Sequence, residues 1–473
     1  MIRLTLAFAF FSLIAPLALP QASGNEVTIE VGKGTSLAGR SSLQKRADGQ
    51  RSPVVIYLAG GEDLSEGMLF EKYAKERSWS LLSIQLRPTE IDELAQSAAV
   101  LRSDLSSILA FAKGMQGVDP ERIAVVGTSY GAELACMAAA DHSARGAVAF
   151  GASRGRLRTL GWEDETGLRG TLFVAGEKQS IEVPMEARAL SLLAAEPSRP
   201  LVVPDSDQGG MDLAQADSNL LNQIVPFLGG VLEGDRFETV ELEAEDGLKV
   251  TADVYDVHPA GAPWIVLCHQ ASFSRGEYRE TAPHFVSLGF NAIALDQRSG
   301  NEAAGIANRT AARAADKGLD SEFTDAIPDL LAGLAWANER AGEAPVVLVG
   351  SSYSASLALI VAAEHPELVD GVLSFSPGEY LRDKGTRFVQ ESAALVQCPV
   401  MIASPGREAA RWSEIFEALP GAEKKRKWRA IPQSRGQHGS RTLWAEFKDS
   451  STRWIAVERY LVHFTPGGQF AGN

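Results

Sequence analysis

Two serines stand in the same small-residue setting, 223 positions apart. Ser352 lies in Gly350-Ser351-Ser352-Tyr353-Ser354, directly after the apolar run Val346-Val347-Leu348-Val349. Ser129 lies in Gly127-Thr128-Ser129-Tyr130-Gly131, and the match continues through Leu134/Leu357, Ala135/Ala358, Ala140/Ala363 and His142/His365. A buried strand that runs into such a turn and then into an apolar helix can present a hydroxyl at the bend. That hydroxyl becomes a nucleophile at neutral pH only if a base takes its proton; without one, the segment is simply a tight strand–helix turn. His142 is the only histidine between residues 25 and 230, whereas His365, His438 and His463 all follow Ser352. His365 ends the helix after the turn, and His463 sits in the amphipathic segment 454–464. His438 lies in the polar, glycine-bracketed loop Gln433-Ser434-Arg435-Gly436-Gln437-His438-Gly439.

These residues need a scaffold, and the chain writes it twice. Short runs of Val, Ile and Leu alternate with longer amphipathic stretches, the pattern of parallel strands covered on both faces by helices. The first half offers strands at Val54–Leu58, Ser80–Gln85, Ile123–Gly127, Gly146–Phe150, Thr171–Ala175 and Leu201–Pro204. The second offers Trp264–Cys268, Asn291–Leu295, Val346–Gly350, Gly371–Phe375, Val400–Ala403 and Trp428–Ile431. A hairpin is expected ahead of the second set, around Glu245-Asp246-Gly247, with a weaker counterpart over Val27–Val31 and Ser36–Lys45. The expectation is a tandem of two α/β domains, residues 25–230 and 231–473, each a mostly parallel sheet, joined by a linker at Gly229–Arg236.

Composition excludes several classes. The 473 residues exceed one domain, and 45% hydrophobic with 22% charged residues is a globular balance. With 45 Lys plus Arg against 60 Asp plus Glu, neither nucleic acid nor an anionic membrane surface is an expected partner. Three cysteines form no disulfide framework and no zinc pattern, which excludes small redox scaffolds and zinc modules. At the amino end, Arg3, the apolar run Leu4–Leu19 and the small residues Ala22-Ser23-Gly24 have the layout of a cleaved signal peptide over residues 1–24. Such a run spans about 24 Å, short of the ~30 Å hydrocarbon core. The mature chain is therefore expected to be exported, periplasmic or secreted, without stable membrane insertion.

The segment around Ser352 resembles the nucleophile elbow of α/β hydrolases, with Ser354 where glycine is usual. His269-Gln270-Ala271, Ser274-Arg275-Gly276-Glu277-Tyr278, Asp296-Gln297-Arg298-Ser299-Gly300 and the Ser352 elbow together resemble a dienelactone-hydrolase-like group of bacterial serine hydrolases. The resemblance covers most of residues 238–465. It implies Ser352 as nucleophile and His438 as base, in the loop after the last strand. It implies Glu408 as the acid, after Val400–Ala403, beside Arg407 in the usual slot and with Glu414 in reserve. It also implies an oxyanion hole from the backbone N–H groups of Gln270 and Tyr353, and no metal or organic cofactor; His269 itself is read as a turn histidine bonded to local backbone.

The same comparison leaves the first half without a triad. Ser129 keeps the elbow, but Gln208 stands in the base position and Gln179 in the acid position, and glutamine cannot act as a general base. The expected protein is an exported serine hydrolase of small carboxylic esters, active in its second domain. A serine peptidase and a non-catalytic binding protein with two decayed sites are the alternatives.

Overall fold

The computed structural model describes residues 24–466, apart from 33, 61–63, 164–166, 195–196, 382, 432–435 and 448. Residues 1–23 of the expected leader lie outside the described residues. The Val- and Ile-rich runs form strands because branched side chains pack well on a pleated surface, and burial on both faces recruits helices to both sides. In the first half the strands are β1 (Asn25–Glu30), β2 (Ser36–Ser42), β3 (Ser52–Ala59), β4 (Ser80–Gln85), β5 (Val118–Gly127), β6 (Gly146–Phe150), β7 (Thr171–Gly176) and β8 (Arg199–Val203). In the second they are β9 (Glu238–Glu243), β10 (Lys249–Tyr255), β11 (Trp264–Cys268), β12 (Asn291–Leu295), the two-residue pair β13 (Glu302–Ala303) and β14 (Ile306–Ala307), β15 (Val346–Ser351), β16 (Gly371–Phe375), β17 (Val400–Ala403) and β18 (Lys427–Ala430).

Neighbours in the first sheet run β1-β2-β4-β3-β5-β6-β7-β8, and those in the second run β9-β10-β12-β11-β15-β16-β17-β18. Position for position, the two orders are the same. Each sheet opens with an antiparallel hairpin whose second strand pairs antiparallel to the fourth, and the remaining neighbours are parallel. Apolar side chains fill both faces of each sheet: Val54, Ile56 and Val125 on one face of the first, Val55, Ala124 and Val126 on the other. In the second, Val266 and Leu348 face one core while Ile265 and Val347 face its opposite. The architecture is α/β, with two eight-stranded, mostly parallel sheets.

The linker expected at Gly229–Arg236 is largely helix instead. Helix Ser218–Glu233 runs through Gly229 and Gly230, and only the residues from Gly234 to the start of β9 connect the sheets. The glycine pair marks a close passage, not an interruption. A Cβ on Gly230 would stand 2.2 Å from the Ser287 Cα, so this helix crosses the short helix Ala282–Ser287 of the second half in backbone contact. Around this crossing Arg77 donates to the Val257 carbonyl at 3.0 Å, and Trp79 Nε1 donates to Glu233 at 2.9 Å.

Candidate active site

The candidate residues of the second half gather at the carboxyl ends of its parallel strands, where loops from neighbouring strands converge. Ser352 follows β15 with φ 60° and ψ −117°, and helix Tyr353–Glu364 starts at the next residue. A non-glycine residue in this left-handed region stores about 1–3 kcal/mol of strain. Packing imposes it: a Cβ on Gly350 would lie 2.2 Å from the Ser354 carbonyl oxygen, so strand and helix already touch. The Ser352 N–H is held by the Phe375 carbonyl at 2.8 Å. Ser354 fits the usual glycine slot because its hydroxyl is absorbed locally. It accepts the Ser351 N–H at 2.8 Å and reaches the Cys268 carbonyl at 2.8 Å.

His438 is brought between Ser352 and Glu408. Its Nε2 lies 2.7 Å from Ser352 Oγ, and its Nδ1 lies 2.9 Å from Glu408 Oε2. Glu408 comes from the single turn Gly406–Glu408 after β17 and is buried, while the His438 ring is partly open to solvent. Burial raises the Glu408 carboxyl, but hydrogen bonds from His438 and Ser376, with the charges of His438 and Arg407, outweigh it and leave the pKa below its ordinary 4.5. This carboxylate stays ionised at neutral pH. Arg407 donates to the Gly436 carbonyl at 3.2 Å while its guanidinium stays 3.8 Å from Glu408 Oε1, and Glu414 is exposed on the next helix. His365 caps its helix 3.5 Å from Glu367, and the His463 ring lies 5.8 Å from that of Trp428. Ser376, missed in the sequence, stands between acid loop and base loop: its hydroxyl accepts the Gly439 N–H at 3.1 Å and helps to lower the Glu408 carboxyl.

One of the two expected oxyanion donors needs correction. The Gln270 N–H donates to the Glu277 carboxylate at 2.7 Å and is already committed. The next residue, partly exposed Ala271, has no backbone acceptor for its N–H among the described residues, and the same holds for Tyr353 in the first turn of its helix. The available pair is Ala271 and Tyr353. His269 is buried and neutral: its Nδ1–H donates to the Gln270 carbonyl at 2.8 Å, its Nε2 accepts the Gln297 N–H at 2.9 Å, and burial pushes its pKa down to about 4. Among the described residues no cluster of His, Cys, Asp and Glu is placed to hold a metal ion.

A family model described as alpha/beta hydrolase fold matches residues 263–395, from just before β11 through the elbow to the helix Phe388–Ala393. The second domain is an α/β hydrolase by fold. The chain is similar to solved structures of a dienelactone hydrolase from Anabaena variabilis (18% identity, covering 49% of this chain and 99% of that one, TM-score 0.38). It is similar as well to a Pyrococcus furiosus esterase (17%, covering 48% and 91%, TM-score 0.36) and to a Pyrococcus horikoshii acylaminoacyl peptidase (15%, covering 49% and 42%, TM-score 0.36). No curated protein matches in sequence. No described helix is long and apolar enough to cross a membrane.

The first domain repeats the elbow but not the cluster around it. Ser129 adopts φ 52° and ψ −133°, and a Cβ on Gly127 would lie 2.0 Å from the Gly131 carbonyl oxygen. Gln208 bonds to its neighbours, through its N–H to Ser206 Oγ and through Nε2 to Asp207 at 3.0 Å. The Gln179 side chain packs against the Gly209 backbone. Among the described residues none of Ser129, Gln208 and Gln179 hydrogen-bonds to another. A cleft of about 500 Å³ runs between the domains past Arg145, Thr281 and Trp454, but it includes none of the Ser352 cluster.

Proposed function

We propose that this protein is an exported serine hydrolase of carboxylic esters, acting through Ser352, His438 and Glu408. The observation that carries the reading is the imidazole of His438, 2.7 Å from a serine hydroxyl on one side and 2.9 Å from an ionised carboxylate on the other. His438 Nε2 takes the Ser352 proton as Oγ bonds to the ester carbonyl carbon. Glu408 accepts the Nδ1–H bond, fixes the tautomer and stabilises the imidazolium. The Ala271 and Tyr353 N–H groups receive the oxyanion, where the positive end of helix Tyr353–Glu364 also favours negative charge. His438 then returns the proton to the leaving alkoxide, and water, activated by the same imidazole, releases the acid. Domain 25–230 is non-catalytic in this reading, because Ser129 has no base. Export rests on Arg3 and the apolar run Leu4–Leu19.

One experiment tests each part. Protein made with its own leader is treated with a fluorophosphonate, weighed intact and mapped by peptide mass. Label on the Ser352 peptide and a chain starting near Asn25 are expected. A wild-type protein that stays unlabelled overturns the hydrolase, and a full-length mass overturns export alone.

A further inference from the structure

A second carboxylate lies beneath the cluster. Glu277 occupies the short turn Arg275–Tyr278 after β11 and is fully buried. A carboxylate so placed is strongly penalised unless its oxygens are hydrogen-bonded. Burial raises the Glu277 carboxyl above its ordinary value, and the Ser440, Gln270 and Ser351 donors offset only part of that rise. Oε1 accepts the hydroxyl of Ser351 at 2.7 Å and that of Ser440 at 2.6 Å, while Oε2 accepts the Gln270 N–H at 2.7 Å. The Ser440 N–H closes the knot on Ser351 Oγ at 2.9 Å. Between them, Gly439 at φ 70° passes so tightly that a Cβ would lie 2.4 Å from Ser351 Oγ.

These three donors are not a random set. Ser351 precedes the nucleophile, Ser440 stands two residues after the base, and Gln270 precedes the oxyanion donor Ala271. In the first domain Thr128 takes the place of Ser351, and its hydroxyl meets the Tyr57 hydroxyl at 3.3 Å instead. Among the described residues, no carboxylate hydrogen-bonds to the Thr128 hydroxyl.

We propose that Glu277 is a positioning residue which locks the nucleophile, base and oxyanion loops into one register. This rests on the serine-hydrolase reading above. Glu277 touches no reacting atom; it acts through the backbone of its three partners. An amide at this position breaks the pattern, because its NH2 must face either the Gln270 N–H or the two serine hydroxyls.

The test uses Glu277→Gln and Ser440→Ala in the full chain. It reads kcat and KM with p-nitrophenyl acetate, the rate of fluorophosphonate labelling at Ser352, and the thermal midpoint. Misplacing reacting groups by about 1 Å costs on the order of 10²-fold. Glu277→Gln is thus expected to lower kcat and the labelling rate by about 10²-fold with KM within about threefold, and Ser440→Ala by about tenfold. Wild-type kcat and labelling in folded Glu277→Gln, with only a lower thermal midpoint, would overturn the positioning role and leave the hydrolase intact. If Glu277→Gln does not fold, Ser440→Ala decides: a loss near tenfold supports the role, and unchanged kcat and labelling sink it. A wild-type protein that never labels at Ser352 removes the hydrolase reading and this role together.

Discussion

Ser129 and Ser352 occupy equivalent turns in sheets of identical strand order, yet their surroundings differ. Both have φ near +55°, with 52° at Ser129 and 60° at Ser352, and both follow a glycine with no room for a Cβ. Both domains also keep an arginine after the fourth strand paired with an aspartate on the next long helix, Arg87 with Asp104 and Arg298 with Asp329. Loops differ instead: Ser352 meets a histidine, and Ser129 meets none. Backbone strain at the elbow therefore follows from strand–helix packing and survives where no base is present. Strain alone is not a sign of chemistry here; the convergent loops are.

The sharpest way to break this contrast is to remove each serine. Ser352→Ala and His438→Ala are expected to lower p-nitrophenyl ester hydrolysis by at least ~10³-fold, while Ser129→Ala leaves kcat/KM near wild type. Equal losses at both serines would mean that the two sites work together. A smaller loss is expected at the acid: Glu408→Gln should fall roughly ten- to a hundredfold less severely than Ser352→Ala, with Glu414→Gln near wild type in the same assay. The reverse ranking would move the acid onto the following helix.

Acid sharpens the contrast through stability. In the second half, burial pushes His269 down to about 4, and burial with the charge of Arg77 pushes His258 down to about 3. The first half has only exposed His142. Unfolded histidine titrates near 6.5, so between about 6.5 and 3 the unfolded chain binds more protons than the native one. The stabilisation is complete above about pH 6.5 and is lost as the pH falls through that window. Thermal scans from pH 7 to pH 4 should show a falling midpoint, flattened in His258→Gln. A midpoint independent of pH in wild type would remove this account.

Much of this was readable from residue order alone. The apolar runs placed most strands of both sheets within about two residues, because strands buried on both faces must be apolar throughout; β5 starts five residues before the expected Ile123, at Val118, and the short pair β13/β14 left no such run. Ser352 was visible for a related reason: only small residues allow strand and helix to touch at a tight bend. His438 could be placed because its loop follows the last strand. Side-chain reach was not readable. Glu277 folds back seven residues to take the Gln270 N–H, which moves the available donor to Ala271. No local pattern announces that a Glu in a charged Ser-Arg-Gly-Glu-Tyr stretch will be buried. Gly229-Gly230 misled in the opposite sense, since glycines that interrupt periodicity also serve helices that must pass in contact.

That crossing bears on the order of assembly. Helix Ser218–Glu233 contributes Ile224, Phe227, Leu228 and Leu232 to the core of the first domain, and its Gly230 meets Ser287 of the second. A chain that is made from its amino end completes this helix before β9 exists, and domains generally fold as units in that order. The second domain then forms against a surface already in place, with Arg77 positioned to meet the Val257 carbonyl and the His258 ring. A half whose elbow meets no histidine can still act as an internal template for the half whose elbow does.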